Sequence, residues 1–245
     1  MFTRKAFVTS LILFSLSGIA FPGETDYIDT KSVNLLEILP EPPHEGSEQF
    51  KKEINEILIF QKTRTDEMIR YAKADQNKDI FRFSTIFGES FSAASLPITA
   101  LFFRRTISNG SHLADPVKDF WKRTRPYKAD TRVSPCVKIP SGYSYPSSHA
   151  LAGRLMAVVL SRMVPEKKDA ILKRGHEFAE NRVIGGVHFR SDIEAGEHAA
   201  DRIAKALFSN ADFLRDFEAS KKEVRVFLKY ETGDGNIESR KKPAA

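Results

Sequence analysis

The sequence places three cations where they could act together on one anion. Lys118 and Arg125 lie seven residues apart in KDFWKRTRP, a spacing of two turns along one helix face. Arg182 follows the apolar residues Ile171 and Phe178 on another predicted helix face, where an unpaired guanidinium is costly unless a carboxylate or an anion meets it. Taken alone, a charge run such as the first is more typical of a solvated face.

Two histidines stand beside predicted helix starts. His149 follows Ser147 and Ser148 in SYPSSHA, directly before an apolar run, so the backbone N–H groups of that helix start could hold an anion. The alternative there is an ordinary cap beside a surface histidine. His188 and Asp192 are four residues apart in HFRSD, and a carboxylate one turn further on can fix the tautomer of an imidazole. The other ring nitrogen of His188 is then free for nucleophilic attack.

Together these groups match the requirements of phosphoryl transfer. The reaction needs positive charge around the phosphate oxygens, a nucleophile in line with the leaving group, and an acid for the leaving oxygen. Each motif alone is weak evidence, and their combination favours this chemistry. No additional cluster in the sequence demands a metal, so we expect neither a metal ion nor another cofactor.

The helices that would position these groups are predicted from apolar spacing and from helix start and stop residues. Phe50, Ile54, Ile57 and Leu58 share one face of a helix that Ser47 could cap. The further predicted helices contain Met68, Ile69 and Ala72, or run from Asp115-Pro116 to Arg125, from about Ser148 to Val164, from Pro165 to Gly185-Gly186, and, as the last strong helix, from about Ser191 to Phe208. Because no segment shows convincing alternation, we expect an all-α fold, a compact single-domain helical bundle.

The organisation along the chain points to an exported protein. Residues 1–20 place Arg4 and Lys5 before a short apolar segment that ends in small residues, which predicts a signal peptide cleaved after Ala20. The alternative, a membrane anchor, needs about 20 apolar residues, more than this segment has. We expect a periplasmic or secreted protein with an extended arm at 21–46, a helical domain at 47–230 and a flexible tail at 231–245.

Composition limits the classes of partner. The chain has 245 residues, of which 41% are hydrophobic, enough for one sizeable core. Loss of residues 1–20 removes two basic residues and no acid, so the formal charge falls from +6 to +4. Basic residues are scattered among acids, which disfavours nucleic-acid binding. We expect no stable membrane anchor after cleavage, and a homo-oligomer is left open. Cys136 is the single cysteine, so no internal disulfide can form.

The order and spacing of the motifs resemble the three-part signature of the type 2 phosphatidic acid phosphatase (PAP2) superfamily, which also contains vanadium haloperoxidases. The matching residues are Lys118-x6-Arg125-Pro126, Pro146-Ser147-Ser148-His149 and Arg182-x5-His188-x3-Asp192. GYSYPSSHA and KKDAILKRGHEFAENRVIGGVHFRSDIEAG are similar to segments of the bacterial class A non-specific acid phosphatases. The similarity extends from about Leu35 to Lys222.

This resemblance implies an exported acid phosphatase that hydrolyses phosphate monoesters through a phosphohistidine, without a metal. It makes His188 the nucleophile, Asp192 the group that orients it, and His149 the acid that protonates the leaving oxygen and later activates water. The residues that it assigns to the phosphate oxygens are Lys118, Arg125, Ser147, Ser148 and Arg182. Transfer of phosphate to alcohols as well as to water is left open.

Three departures from the family pattern accompany the resemblance. Ser148 stands where the family usually has glycine, and Asn181 stands where it has serine. Gly185 replaces a cysteine that many relatives pair with an upstream cysteine, which leaves Cys136 without that partner. The alternatives that remain are a vanadium-dependent haloperoxidase, a lipid-phosphate phosphatase and a catalytically silent phosphate-binding protein.

Overall fold

The computed structural model describes residues 25–230, so the predicted signal peptide and the predicted tail lie outside the described residues. Within 25–230 the regular structure is helical and no strand occurs, which confirms the all-α prediction. The α-helices are α1 (Leu35–Ile38), α2 (Glu48–Thr63), α3 (Asp66–Ala74), α4 (Ser84–Phe87), α5 (Pro97–Trp121), α6 (Pro126–Ala129), α7 (Ser148–Met163), α8 (Lys168–Ile184), α9 (Arg190–Leu207) and α10 (Ala211–Phe227), with 3₁₀ turns at Ile80–Phe83 and Pro165–Lys167.

Helix α7 lies at the centre of the fold. Its side chains Leu151, Leu155, Met156 and Val159 are fully buried, because α8 and α9 pack along it and α5 covers a further face. Helix α10 packs in turn on α5. In the part of the chain that the structure describes, no helix is both long enough and apolar enough to cross a membrane.

A glycine brings α9 against the first turn of α7. A Cβ atom on Gly196 would lie 2.5 Å from the Ser147 carbonyl oxygen and 3.0 Å from the Ala150 Cβ, so a larger residue there meets backbone that cannot move aside. At this contact the Ser147 N–H donates to the Asp192 carbonyl oxygen at 2.9 Å. The close approach therefore joins two of the predicted motifs.

Several helix predictions are confirmed. Ser47 caps α2, since its Oγ accepts from the Phe50 N–H at 3.2 Å. Ser147 caps α7 in the same way, accepting from the Ala150 N–H at 3.3 Å. The predicted segments around Met68, after Pro165 and up to Phe208 correspond to α3, to α8 behind its 3₁₀ turn, and to α9.

The prediction that a helix begins at Asp115-Pro116 is wrong. Helix α5 runs from Pro97 to Trp121 and contains Pro116 in its interior. The hydrogen bond that proline cannot donate is lost on the exposed side of the helix, where water can replace it, while Leu113 and Val117 pack into the core. Helix α5 ends where Lys122 adopts a left-handed backbone with φ 46°.

This boundary changes the relation between two predicted site residues. Lys118 lies in the last turn of α5, whereas Arg125 lies beyond the helix, as the residue before α6. They therefore do not share a helix face as predicted. The prediction that Pro126 ends a helical segment is also wrong, because Pro126 is the first residue of α6.

The N-terminal arm and α10 are further differences from the sequence prediction. The arm includes the helical turn α1, and it is fixed to the fold: the Asn109 side-chain oxygen accepts from the Tyr27 and Ile28 N–H groups, each at 3.1 Å. The Tyr27 hydroxyl donates to Asp216 of α10 at 2.9 Å. Helix α10 was not predicted. On its buried face, the Phe213 ring packs edge-on against the Tyr27 ring.

Candidate active site

The predicted site residues meet around one cavity of about 900 Å³. Its walls come from the end of α5, the loop 138–143, and residues at the start of α7, the end of α8 and just before α9. The predicted residues that line it are Lys118, Arg125, Ser148, His149, Arg182 and His188. The other two, Ser147 and Asp192, are fully buried and joined by their backbone hydrogen bond. The structure thus brings all the predicted positions together.

His188 is held in one tautomer by its two neighbours. Its Nδ1 lies 3.2 Å from Asp192 Oδ2, and its Nε2 lies 3.0 Å from Arg125 Nη1. Because a guanidinium can only donate, Nε2 carries the lone pair and Nδ1 carries the hydrogen. Burial lowers the pKa of His188 to about 3, against the opposing effect of Asp192. The ring is therefore neutral, with a nucleophilic nitrogen at the cavity.

Asp192 accepts hydrogen bonds at both carboxylate oxygens. Arg123 Nη1 donates to Oδ1 at 2.6 Å, while the Ser144 hydroxyl and the Phe189 N–H donate to Oδ2 at 2.5 and 2.9 Å. Burial alone raises the pKa of Asp192, but the charge of Arg123 and the bonds from His188 and Ser144 outweigh it and lower the pKa. Asp192 is thus a fixed anion behind the imidazole.

Arg123 and Glu53 were missed by the sequence reasoning. Arg123 is 8% exposed, its Nη2 donates to Glu53 Oε2 at 2.9 Å, and its guanidinium lies 4.1 Å from the centre of the Phe189 ring. Glu53 in turn accepts from the Ser191 N–H at 2.9 Å. A buried chain of charges therefore runs from α2 through Arg123 to Asp192. The signal in the sequence is the alternation in RTR: once α5 has ended, Arg123 and Arg125 are both buried while the residue between them is exposed.

Lys118 and Arg125 are held by backbone carbonyls of one loop. Lys118 Nζ donates to the Pro146 carbonyl at 2.5 Å, and Arg125 donates to the carbonyls of Gly142 and Tyr143 at 2.9 and 3.0 Å. Burial, together with the neighbouring Arg125, lowers the pKa of Lys118 to about 8. Because these acceptors are neutral, both cations keep their charge available to an anion in the cavity.

Arg182 is the most incompletely bonded cation at the site. It is 1% exposed, and its Nε and Nη1 atoms are buried without a hydrogen-bond partner within residues 25–230. Burial and the charge of Arg125 lower its pKa to about 10, so it remains a cation. Buried unsatisfied donors cost about 1–3 kcal/mol each, and an anion with several oxygens would satisfy them.

His149 faces the same cavity from the start of α7. Its Nε2 donates to the Gln76 carbonyl oxygen at 3.1 Å, since a carbonyl can only accept. Burial, followed by the charges of Arg182 and Lys78, lowers the pKa of His149 well below its ordinary value. Lys78 also lines the cavity and is a fourth cation that the sequence reasoning missed. Bound anionic substrate would offset these charges and favour the protonated imidazole.

The structure shows the surroundings of the three residues that depart from the family pattern. Asn181 donates to Asp75 Oδ2 at 2.7 Å, and Asp75 directly precedes Gln76, so this bond fixes the segment whose carbonyl holds His149. The Cys136 N–H donates to the Gly185 carbonyl oxygen at 3.2 Å, and the free thiol of Cys136 is half-buried. Ser148 lines the cavity as the first residue of α7.

The residues described include no group of three or more His, Cys, Asp or Glu side chains arranged to share a metal ion. The charged groups at the cavity are instead mostly cations, and the carboxylate behind His188 is occupied by Arg123. Such an arrangement is suited to an oxyanion, to which it would present a neutral imidazole nitrogen.

Comparison with known proteins agrees with this arrangement. The PAP2 superfamily profile matches residues 92–210, which contain every predicted site residue. The chain is 31% identical to a non-specific acid phosphatase of Providencia stuartii over 94% of this chain and 98% of that protein. It is 31% identical to an acid phosphatase of Zymomonas mobilis over 78% and 75%, and 27% identical to a non-specific acid phosphatase of Salmonella typhimurium over 81% of each.

A solved structure shares the fold. The crystal structure of a bacterial vanadium-dependent iodoperoxidase matches with a TM-score of 0.54 at 16% identity, over 70% of this chain and 52% of that one, so the chain spans about half its length. Fold and site together define a phosphatase of the PAP2 superfamily. Within it, the chain belongs to the class A non-specific acid phosphatases, which are phosphoric monoester hydrolases.

Proposed function

We propose that the protein hydrolyses phosphate monoesters through a covalent phosphohistidine on His188, and that it does so outside the cytoplasm. The observation that carries the mechanism is the pair of unsatisfied Arg182 N–H groups in the cavity that His188 lines. A phosphate group supplies the oxygens that these donors lack. Export rests on the sequence of residues 1–20 and on the predicted cleavage after Ala20.

The first step forms the phosphoenzyme. The Nε2 lone pair of His188 attacks phosphorus, the bond between phosphorus and the ester oxygen breaks, and His149 gives a proton to that oxygen, which leaves as an alcohol. Arg125 contacts Nε2 in the free protein, and a phosphoryl oxygen gives its guanidinium a charged acceptor instead. Asp192 stabilises the positive charge that develops on the His188 ring.

The second step releases phosphate. His149 now takes a proton from a water molecule, the water oxygen bonds to phosphorus, and the bond to His188 breaks with its electron pair returning to Nε2. Lys118, Arg125 and Arg182 surround the phosphoryl oxygens in both steps, with Ser148 and the backbone at the start of α7, where the helix end favours negative charge. Ser147 contributes by capping that helix.

Parallel assays of the purified mature chain test this function. We expect release of phosphate from phenyl phosphate and glycerol 2-phosphate. Bromide oxidation with vanadate and peroxide, and hydrolysis of a phosphatidic acid dispersed in detergent, are the comparison assays. Peroxidase activity without ester hydrolysis, activity on the lipid alone, or phosphate binding without turnover would each contradict the proposal.

Hydrolysis is expected to decline as the pH rises. The parameter kcat/KM reports ionisations of the free enzyme and of the free substrate. The second pKa of a phosphate monoester is about 6, so above that pH the substrate is already a dianion. Since burial and Arg182 lower the pKa of His149, less of this acid is protonated at each higher pH. The decline becomes steeper above about 8, where Lys118 loses its charge.

A Lys118→Arg variant is the control for the steeper part of this profile. Arginine keeps its charge throughout, so the variant retains the first decline and loses the second. A wild-type profile that stays level through the ionisation of Lys118, or an unchanged second decline in the variant, would contradict the assignment.

A further inference from the structure

A second cavity of about 610 Å³ adjoins the catalytic one. Gln76 and Lys78 line both cavities, so the two cavities meet at these residues. The far side of the second cavity is formed by residues 79–81 and by one face of α5. We propose that this cavity binds the alcohol part of the phosphate ester, and that it favours alcohols with an apolar ring and a second anionic group. The inference rests on the proposed function.

The position of the acid places the leaving group on the side of the catalytic cavity that Gln76 and Lys78 line. His149 must meet the ester oxygen in order to protonate it, and it does so through Nδ1, because Nε2 donates to the Gln76 carbonyl oxygen. The leaving oxygen therefore lies on the His149 side of the phosphate, in line with and opposite to His188. Gln76 and Lys78, which adjoin His149, also line the second cavity. Asn181 fixes the position of Gln76, because it donates to Asp75, the residue before Gln76.

The side chains of the second cavity define the class of alcohol. Its larger apolar residues are Ile80, Phe81, Phe103 and Ile107, which suit a ring. Two cations, Lys78 and Arg104, lie among them, together with two serines of α5. Lys78 Nζ donates to the neutral hydroxyl of Ser111 at 3.3 Å, and the carboxylate whose charge acts on Lys78, Asp115, lines the catalytic cavity and not this one.

The single carboxylate of this cavity does not neutralise the charges of both Lys78 and Arg104. Asp79 is its one carboxylate, and Asp79 Oδ1 accepts from the Phe81 N–H at 3.0 Å as the cap of the 3₁₀ turn. Arg104 is exposed and lies on the α5 side of the cavity. Two cations against one engaged carboxylate favour an anionic group on the ligand. A volume of about 610 Å³ also lies in the range of small-molecule sites.

Three esters distinguish this cavity from the catalytic site itself. Glycerol 2-phosphate has no ring, 2-naphthyl phosphate adds a ring, and its 6-sulfonate adds an anion that the enzyme cannot hydrolyse. We expect Arg104→Gln to lower kcat/KM for the sulfonated ester by about threefold to fivefold, the effect of one partly exposed charge pair. The other two esters should be unaffected.

A second variant tests the apolar part of the cavity. Ala100→Phe fills the cavity from α5 and is expected to lower kcat/KM for both naphthyl esters by about tenfold, with glycerol 2-phosphate unchanged. Arg70→Gln, an exposed arginine of α3 that lines neither cavity, is the matched control. Equal changes for all three esters, or none, would overturn the proposal.

Binding of the product alcohol keeps this test independent of catalysis. The fluorescent 6-hydroxynaphthalene-2-sulfonate contains the ring and the anion but no phosphate. We expect it to bind the wild-type protein and to bind Arg104→Gln more weakly. If glycerol 2-phosphate is not hydrolysed at all, the proposed function fails, while this titration still decides whether the cavity binds such alcohols.

Discussion

Replacement of His188 by alanine is expected to reduce phosphate-ester hydrolysis to background, a loss of at least about 10³-fold in kcat. The physical reason is that Nε2 of His188 is the unprotonated nitrogen at the cavity, with Nδ1 committed to Asp192. Removal of the ring leaves the cationic phosphate site intact. The variant should therefore still bind inorganic phosphate while it loses turnover.

The covalent step gives this prediction a second readout. Wild-type enzyme mixed with labelled substrate and quenched in alkali should retain label on the protein, and His188→Ala should retain none. A His188→Asn variant separates chemistry from folding, because its amide N–H can still donate to Asp192 while no imidazole remains. Wild-type turnover in either variant would refute the assignment of the nucleophile.

His176 provides the matched histidine control. It lies on α8, half-exposed, with Nδ1 2.9 Å from Glu197. His176→Ala removes a histidine that also has a carboxylate neighbour, but one outside the catalytic cavity. Its kcat should remain within about twofold of wild type, since surface substitutions usually have small effects.

The features that sequence could predict are local ones. The cap at Ser147, the apolar face of α7 and the glycine pair that ends α8 are each encoded within a few residues. The spacing of His188 and Asp192 likewise requires only one helical turn. These local patterns, combined with the family resemblance, were sufficient to assemble the catalytic side chains.

The features that sequence missed depend on distant partners. The local sequence at Pro116 is typical of a helix start. In the structure α5 continues through Pro116, because nearby residues on either side of it pack into the core. In the sequence Arg123 is one cation of a basic run. Its structural role depends on a hydrogen bond to Glu53, which is 70 residues away. Lys78 lies at the site in a segment that is joined to α8 by the bond between Asn181 and Asp75. No local pattern specifies such pairs.

The buried charges behind His188 form a connected arrangement. Asp192 and Glu53 are both nearly inaccessible to solvent, and Arg123 is the cation that hydrogen-bonds to both. A buried ion pair is weak evidence for stability by itself, but removal of one member leaves an uncompensated charge. Arg123 thus stabilises the anionic state of Asp192, and through Asp192 it positions the His188 ring.

Arg123→Gln is therefore expected to lower the free energy of unfolding by about 3–5 kcal/mol and kcat by about 10²-fold. The loss of charge beside Asp192 raises the pKa of this carboxyl relative to wild type. As the pH falls through that raised pKa, Asp192 takes up a proton and no longer accepts from His188 Nδ1. The variant should therefore lose activity on the acidic side, where the wild type keeps its activity.

The loss of activity at acidic pH distinguishes a positioning role of Arg123 from a purely structural one. Arg190→Gln is the matched control: Arg190 also bridges two carboxylates, Glu56 and Glu180, but it lies nearer the surface and does not contact Asp192. It should cost about 1 kcal/mol or less and leave the pH profile unchanged. The double variant Arg123→Gln/Glu53→Gln removes one of the two uncompensated charges, so part of the lost stability should return. Its loss of activity at acidic pH should persist, because Asp192 still lacks its cation. Thermal unfolding and kcat against pH measure both effects, and an Arg123→Gln profile identical in shape to wild type would show that Arg123 contributes only to folding.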